Sequence, residues 1–528
     1  MSDHTNHAEH PSTEKPARRL SALRLVVALV TTGALVVGGV IGYQWWMLSA
    51  KAGSAEPWFA GYADVTATPT FDFESPATKA GRDVLLSFIV SAPDGPCTPT
   101  WGTAFTLDAA SASLDLDRKI ARLEQQGGGI AVSFGGQLND ELATSCTDVD
   151  KLAAAYANVI DRYHISTVDL DVEGANLSDR AAGQRRADAI KKLQLDRRAS
   201  GKSLAVWLTL PVSPSGLTGD GQAAVSEMLA TGVDLAGVNA MTMDYGSSRA
   251  DGQSMLDATT GALTATQRQL KILYSRAGTQ LSDATVWSKL GATPMIGQND
   301  VPGEVFSLDA AKGLNKFVLG HGIGRVSMWS LNRDITCGPN YVDVKRVSDA
   351  CSGVSQGDRK FADLLADGMA GRLSLAAEIV TTAEAIDPKA SVDDPASSPY
   401  PIWSKASSYL EGTKVVWHRN VYAAKWWTRG DLPDNPVLNA WETPWSLIGP
   451  VLPGEKPLKV PTLPAGTYPA WSGEAVYEKG TRVLDAGVPF EAKWWNQRES
   501  PDAASANPDS SPWAPLTAEQ IKEVEAGK

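Results

Sequence analysis

Residues 166–176 read STVDLDVEGAN, with Asp169, Asp171 and Glu173 at every second position of an otherwise apolar run. Side chains of a strand alternate faces with a period of two, so the three acids share one face and Val168, Leu170 and Val172 share the other. A strand face carrying three carboxylates is either wet or chemically active. Taken alone, the run also suits a solvated edge strand or a divalent-cation site, because carboxylate oxygens are good ligands for calcium and magnesium.

The surrounding sequence favours chemistry. Between residues 57 and 355 the chain holds eight short apolar runs: FAGYADV, VLLSFIV, GIAVSFGG, STVDLDVEG, LAVWLTLPV, DLAGVNAMTMDYG, GATPMIGQ and GRVSMWSL. Stretches such as SLDLDRKIARLEQQ, VDKLAAAYANVIDRY and AAGQRRADAIKKLQLDRR separate them, with helical spacing and Gly or Ser near their ends. Repeated strand-then-helix units of this size predict a parallel sheet, and eight of them predict an α/β fold, the (β/α)8 barrel. The acids of the fourth strand would then point inward and climb toward the C-terminal rim, where active sites of this fold are built. Polar residues also end the third strand (SFGG), the sixth (MTMDYG), the seventh (GQND) and the eighth (MWSLNRD). Trp207, in the middle of the fifth, reads as core.

The four cysteines show no CxxC spacing, which argues against a zinc site. Cys97 follows the second strand and Cys146 the third, so their loops are neighbours on the rim. That favours a Cys97–Cys146 bridge and a local Cys337–Cys351 bridge among the three pairings available. At 528 residues, with 43% hydrophobic content, the chain is long enough for several domains. Its net charge of −12 argues against a nucleic-acid partner, which would need Lys and Arg to neutralise phosphate.

Lys15, Arg18, Arg19 and Arg24 precede a segment without charge from Leu25 to Leu48. As a helix rising about 1.5 Å per residue it would cross a bilayer core of about 30 Å. The basic residues keep the N-terminus inside, and Trp45 and Trp46 suit the outer interface. A cleaved signal peptide with Ala50-Lys51-Ala52 as its processing site is the alternative, but signal cores usually run only about 7–15 residues. Both readings put the rest of the chain outside the cytoplasm, where disulfides persist.

The run Asp169-x-Asp171-x-Glu173, with SFGG at Ser133–Gly136, MTMDYG at Met241–Gly246 and Trp329 on the last strand, resembles the family 18 glycoside hydrolases, the chitinase family. The family's DGxDxDxE opens here with Ser166-Thr167 in place of D-G. Where many members read MxYD, this chain has Met243 in the Tyr position, then Asp244 and Tyr245. The resemblance implies substrate-assisted hydrolysis, an exception to the usual pair of catalytic carboxylates. In it Glu173 is the general acid, Asp171 orients the substrate's acetamido group, and Asp169 supports Asp171 from beneath. Asp244 or Tyr245 would bond that acetamido group, Trp329 would form an apolar floor, and Met243, Ser133, Gly135 and Gly136 would complete the substrate site. Three neighbouring carboxylates cannot all ionise cheaply, so they should share protons and help keep Glu173 protonated. No metal and no cofactor is implied.

The tail carries a repeat. PIWSKASSYLEGTKVVWHRNVYAAKWWTRG and PAWSGEAVYEKGTRVLDAGVPFEAKWWNQR align without gaps at an offset of 68. The offset pairs Trp403 with Trp471, Tyr409 with Tyr477, Trp426-Trp427 with Trp494-Trp495 and Trp445 with Trp513. Ten of the 17 tryptophans lie here, more than two tiny cores need, and an exposed ring offers a flat face for stacking against a sugar. The pattern YxxGTxV…AKWW is similar to the chitin-binding type 3 modules of carbohydrate-binding family 5/12. Candidate binding residues are Trp403, Tyr409, Trp426, Trp427, Trp471, Tyr477, Trp494 and Trp495, with one ring of each WW pair expected in the core and the other outside.

The expected organisation is a cytoplasmic N-terminus (1–24), a transmembrane anchor (25–48), a catalytic barrel (57–355), a helix and linker (356–398), a first chitin-binding module (399–450), a Pro-rich linker (451–467) and a second module (468–518). The segment FADLLADGMAGRLSLAAEIVTTAEA after the barrel would close it or form a short helix. The expected partners are chitin and its oligosaccharides and, through the N-terminal helix, the membrane; the chain is expected to be a monomer. The alternatives are a non-catalytic, lectin-like barrel, which would lack the acid, and an endo-N-acetylglucosaminidase acting on other glycans.

Overall fold

The computed structural model describes residues 56–339, 347–375, 392–452, 454–457, 461–501 and 511–527. The expected membrane anchor at 25–48 lies outside them, and among the described residues no helix is long and apolar enough to cross a membrane.

Eight parallel strands close a barrel. They are β1, in two pieces (Trp58–Phe59 and Gly61–Asp64), β2 (Asp83–Ala92), β3 (Gly129–Gly135), β4 (Thr167–Asp171), β5 (Ala205–Ser213), β6 (Leu235–Met241), β7 (Leu290–Thr293) and β8 (Arg325–Val326). Each pairs with the next, and β1 closes the ring: its first piece sets Trp58 opposite Arg325, and its second sets Gly61 opposite Val84. Six long helices follow strands: α1 (Leu116–Gln125), α2 (Val149–Arg162), α3 (Arg180–Ala199), α4 (Gly219–Thr231), α5 (Met255–Arg276) and α6 (Leu308–His321). Among the described residues no long helix follows β1, where the chain makes a single 3-10 turn, Lys79–Arg82, or β8.

Strand periodicity sorts the apolar residues into two layers. Val168, Leu170 and Val172 face the helices, in one cluster with Leu152, Tyr156 and Ile190. Trp58, Tyr62, Leu85, Ala131 and Trp207 fill the barrel itself, Trp207 being core as expected. Of the segment after the barrel expected to close it or form a short helix, residues 376–385 lie outside the described residues. Phe361–Ala366 is a short helix, and Leu373 packs with the inner cluster at the N-terminal end of the strands. Arg372 holds it there through an ion pair with Asp83 at 3.1 Å. The bridges are Cys97–Cys146 and Cys337–Cys351, the preferred pairing.

The tail repeats one small fold. Strands Lys414–Trp417, Asn420–Ala424 and Trp445–Pro450 form an antiparallel sheet, and Arg482–Asp485, Val488–Ala492 and Trp513–Pro515 form its copy. Val415 faces Tyr422 as Val483 faces Phe490, so the offset of 68 holds in the register. The structure corrects the assignment of the aromatics. Trp403, Tyr409 and Tyr477 are buried in the module cores with Trp445 and Trp513, and Trp471 packs half-buried against the second core. Trp426, Trp427, Trp494 and Trp495 are all exposed. Each WW pair sits in a bend rather than a strand, so alternation of faces does not apply to it. The end of the Pro-rich segment is not free spacer: Leu463 packs with Leu484, Leu516 and Ile521, the last on a helix spanning Ala518–Glu525.

Candidate active site

Asp169 lies inside the barrel, each of its oxygens accepting two hydrogen bonds. Oδ2 accepts from the hydroxyls of Tyr62 and Ser133, each at 2.8 Å, and Oδ1 accepts from Thr209 and from Arg325 Nη1, each at 2.6 Å. Four donors from β1, β3, β5 and β8 fill the acceptor positions of this carboxylate. Arg325 also donates to Tyr62 Oη at 3.0 Å and to Ser327 Oγ at 3.0 Å. Its guanidinium lies over the rings of Trp58, Tyr62 and Trp207, between 5.3 and 5.8 Å from their centres. Asn239 extends the network from β6, donating to Thr209 Oγ1 at 3.0 Å and Thr293 Oγ1 at 2.7 Å.

Asp171 is the next inward residue of β4 and its situation is opposite. It is buried, and its Oδ1 has no hydrogen-bond partner. Burial, then the charges of Glu173 and Asp169, push its carboxyl well above the usual range, against a smaller lowering by Arg325. Gly135 allows the close approach of strands here: a Cβ on it would stand 2.0 Å from the Asp171 carbonyl oxygen. That carbonyl accepts from the Gly136 N–H at 2.9 Å.

Glu173 lies just past the strand, half-buried, where the chain turns into the short helix Gly174–Ser178. Burial, and secondarily the charge of Asp244, push its carboxyl up to about 7. Asp244 is fixed with a left-handed backbone, φ 49°, by the loop after β7. Its N–H donates to Asn299 Oδ1 at 3.4 Å, and its Oδ1 accepts from the Val301 N–H at 3.0 Å. Buried Glu304 clamps the same turn by accepting from the N–H groups of Tyr245 and Gly246 at 3.0 and 2.9 Å.

Asp169, Asp171, Glu173 and Asp244 are therefore brought together, and three expectations need correction. Tyr245, expected as an alternative to Asp244 facing the substrate, points into the core: its side chain is buried, and its hydroxyl meets Thr259 of α5 at 3.4 Å. Ser133 is fully buried and holds Asp169 instead of lining a substrate surface. Gly135 and Gly136 act as close-packing positions, the second with Phe88 directly against it. Trp329 is half-buried, stacked on Phe88 at 5.4 Å and edge-on to Tyr62 at 6.0 Å, so it lies one ring away from the Asp169 network. Met243 is half-buried on the loop that carries Asp244.

The sequence reading missed Tyr62, Thr209, Asn239, Arg325 and Glu304. A signal existed for two of them. Arg325 is a lone charge in an apolar run, and Thr209 a lone hydroxyl at the inward parity of β5.

No protein-family model matches the chain. It is 37% identical over 289 residues, 53% of its length, to a probable bifunctional chitinase/lysozyme of Escherichia coli K12. It is 36% identical over 284 residues, 52% of its length, to endochitinase 11 of Metarhizium anisopliae. The chain spans 31% of the first relative and 52% of the second. Among solved structures, the catalytic domain of a hyperthermophilic chitinase from Pyrococcus furiosus superposes with a TM-score of 0.50 at 27% identity. That match covers 99% of the Pyrococcus domain and 62% of this chain. The barrel thus has the architecture of a chitinase catalytic domain.

Proposed function

We propose that this chain is a chitinase that cuts β-1,4 bonds between N-acetylglucosamine units with retention of configuration, helped by the substrate's own acetamido group. The observation that carries the reading is the contrast along β4. Asp169 is saturated by donors, Asp171 has an acceptor oxygen without a partner, and Glu173 is poised near 7 at the rim. Glu173 gives its proton to the leaving glycosidic oxygen. The acetamido oxygen attacks C1 from the opposite face, forming an oxazolinium ion, while Asp171 accepts from the acetamido N–H and holds it in line. Water activated by the carboxylate of Glu173 then opens the ring, so the first product is the β anomer.

The exposed WW pairs of the two tail modules would stack on insoluble chitin, and the apolar run 25–48 would hold the enzyme on the outer face of a membrane. Support comes from the exposure of all four rings and from the two disulfides, which persist outside the cytoplasm. NMR of the products first formed from chitin oligomers, beside fully deacetylated chitosan, tests the mechanism. We expect β-anomeric products from chitin and none from chitosan. A dominant α anomer, or equal cutting of chitosan, rejects substrate assistance; binding without turnover favours the lectin-like barrel.

A further inference from the structure

The two tail repeats diverge in one loop. At the offset of 68, Val437-Leu438-Asn439-Ala440-Trp441 of the first module stands where the second has Ser505-Ala506-Asn507-Pro508-Asp509. Val437, Leu438 and Trp441 thus have Ser505, Ala506 and Asp509 as counterparts, and large apolar residues at a surface call for a partner.

The barrel provides that surface. Arg268 of α5 donates from Nη1 to the Val437 carbonyl at 2.8 Å and from Nη2 to the Leu438 carbonyl at 2.7 Å. Gln222 of α4 and Gln269 of α5 both reach Asn439 Oδ1, at 3.3 and 3.4 Å, and Leu438 packs against the barrel's outer core. The two glutamines are buried and also hold the Leu217 carbonyl, so one polar cluster serves the barrel and the module together. On the module side, Asn439 donates to Glu442 Oε1 at 2.6 Å. The Lys425 ammonium bonds the Ala440 carbonyl and lies 4.8 Å over the Trp426 ring. Trp441 is 63% exposed at the end of this chain of contacts, and the second repeat has an aspartate in its place.

We propose that residues 437–442 are a docking foot that fixes the first module on α4 and α5, and that Trp441 at its end is a sugar-stacking platform peculiar to that module. The docking stands on the contacts alone; the ligand, a polymer of N-acetylglucosamine, rests on the proposed function. A fixed module holds its polysaccharide in a constant relation to the catalytic rim, whereas a tethered one only raises local concentration.

Single cysteines in the full chain test the docking, because all four native cysteines are paired in disulfides. Maleimide should label Val437→Cys and Leu438→Cys at least about tenfold more slowly than Ala440→Cys, since local opening must precede reaction at the covered positions. Adding Arg268→Glu should abolish the difference. Equal rates at the three positions without that change overturn the docking foot. Trp441→Ala should weaken adsorption to insoluble chitin severalfold; unaltered adsorption overturns the platform. A wild-type chain that does not adsorb to chitin refutes the tail reading and the platform with it, while the thiol rates still decide the docking.

Discussion

Arg325 and Asp169 form an ion pair of 2.6 Å in which neither side chain is exposed to solvent. The pair joins the last strand of the barrel to the fourth, and Tyr62, bonded to both, ties in the first. Removing one partner of a buried pair leaves the other charge uncompensated, at a cost of about 3–5 kcal/mol. Arg325→Met is therefore expected to lose about that much stability in urea unfolding, with Arg325→Lys recovering part of it. A Met variant as stable as wild type would show that the pair does not hold the barrel's centre together.

Glu173 is expected to act in its protonated form. With its carboxyl at about 7, kcat on soluble oligomers should fall as pH rises through neutrality. Asp244 raises that value by like-charge repulsion, so Asp244→Asn should lower it and move the falling limb to lower pH. A pH–rate profile whose alkaline limb stays in place removes Asp244 from this role.

Glu173→Gln should lose about 10²–10⁴-fold or more in hydrolysis, because the amide keeps the shape but cannot donate the proton. Binding to chitin should persist. Comparable turnover by the two proteins would reject Glu173 as the acid.

The same substitution should stabilise the fold at alkaline pH. A carboxyl raised from its ordinary 4.5 to about 7 opposes folding only once the unfolded chain ionises it. Wild type therefore loses stability as pH climbs from 4.5 to 7 and has lost the full amount above 7. Gln has no such loss, so the variant should gain up to about 3 kcal/mol at pH 8 and little below pH 4.5. Urea unfolding at the two pH values measures the difference, and a gain independent of pH would contradict it.

In the tail, Ala at both Trp427 and Trp495 should weaken adsorption to insoluble chitin far more than either single change, because two modules on one surface gain avidity. Ala at Trp426 and Trp494 should do the same, since those rings are exposed too. Trp403→Ala should instead unfold the first module, at about 3–5 kcal/mol for a buried Trp. Sedimentation with chitin and circular dichroism separate the two outcomes, and variants of either WW pair that stay folded and sediment fully would exclude that pair as the anchor.

The sequence alone was enough for whatever follows from local periodicity. Period-two spacing put Asp169 and Asp171 on the inner face of one strand and Val168 and Leu170 on the other, eight strand-like runs alternating with helical stretches specified the barrel, and an offset of 68 specified two like modules. Tertiary structure decided what depends on closure and on irregular backbone. Arg325 lies 156 residues from Asp169 and meets it only because β8 closes onto β1. Strand alternation says nothing about a bend, so both rings of each WW pair could be outside. The left-handed turn at Asp244 likewise sets that carboxylate on the Val301 N–H and its neighbour Tyr245 against α5, a choice made by backbone angles and the Glu304 clamp instead of residue spacing.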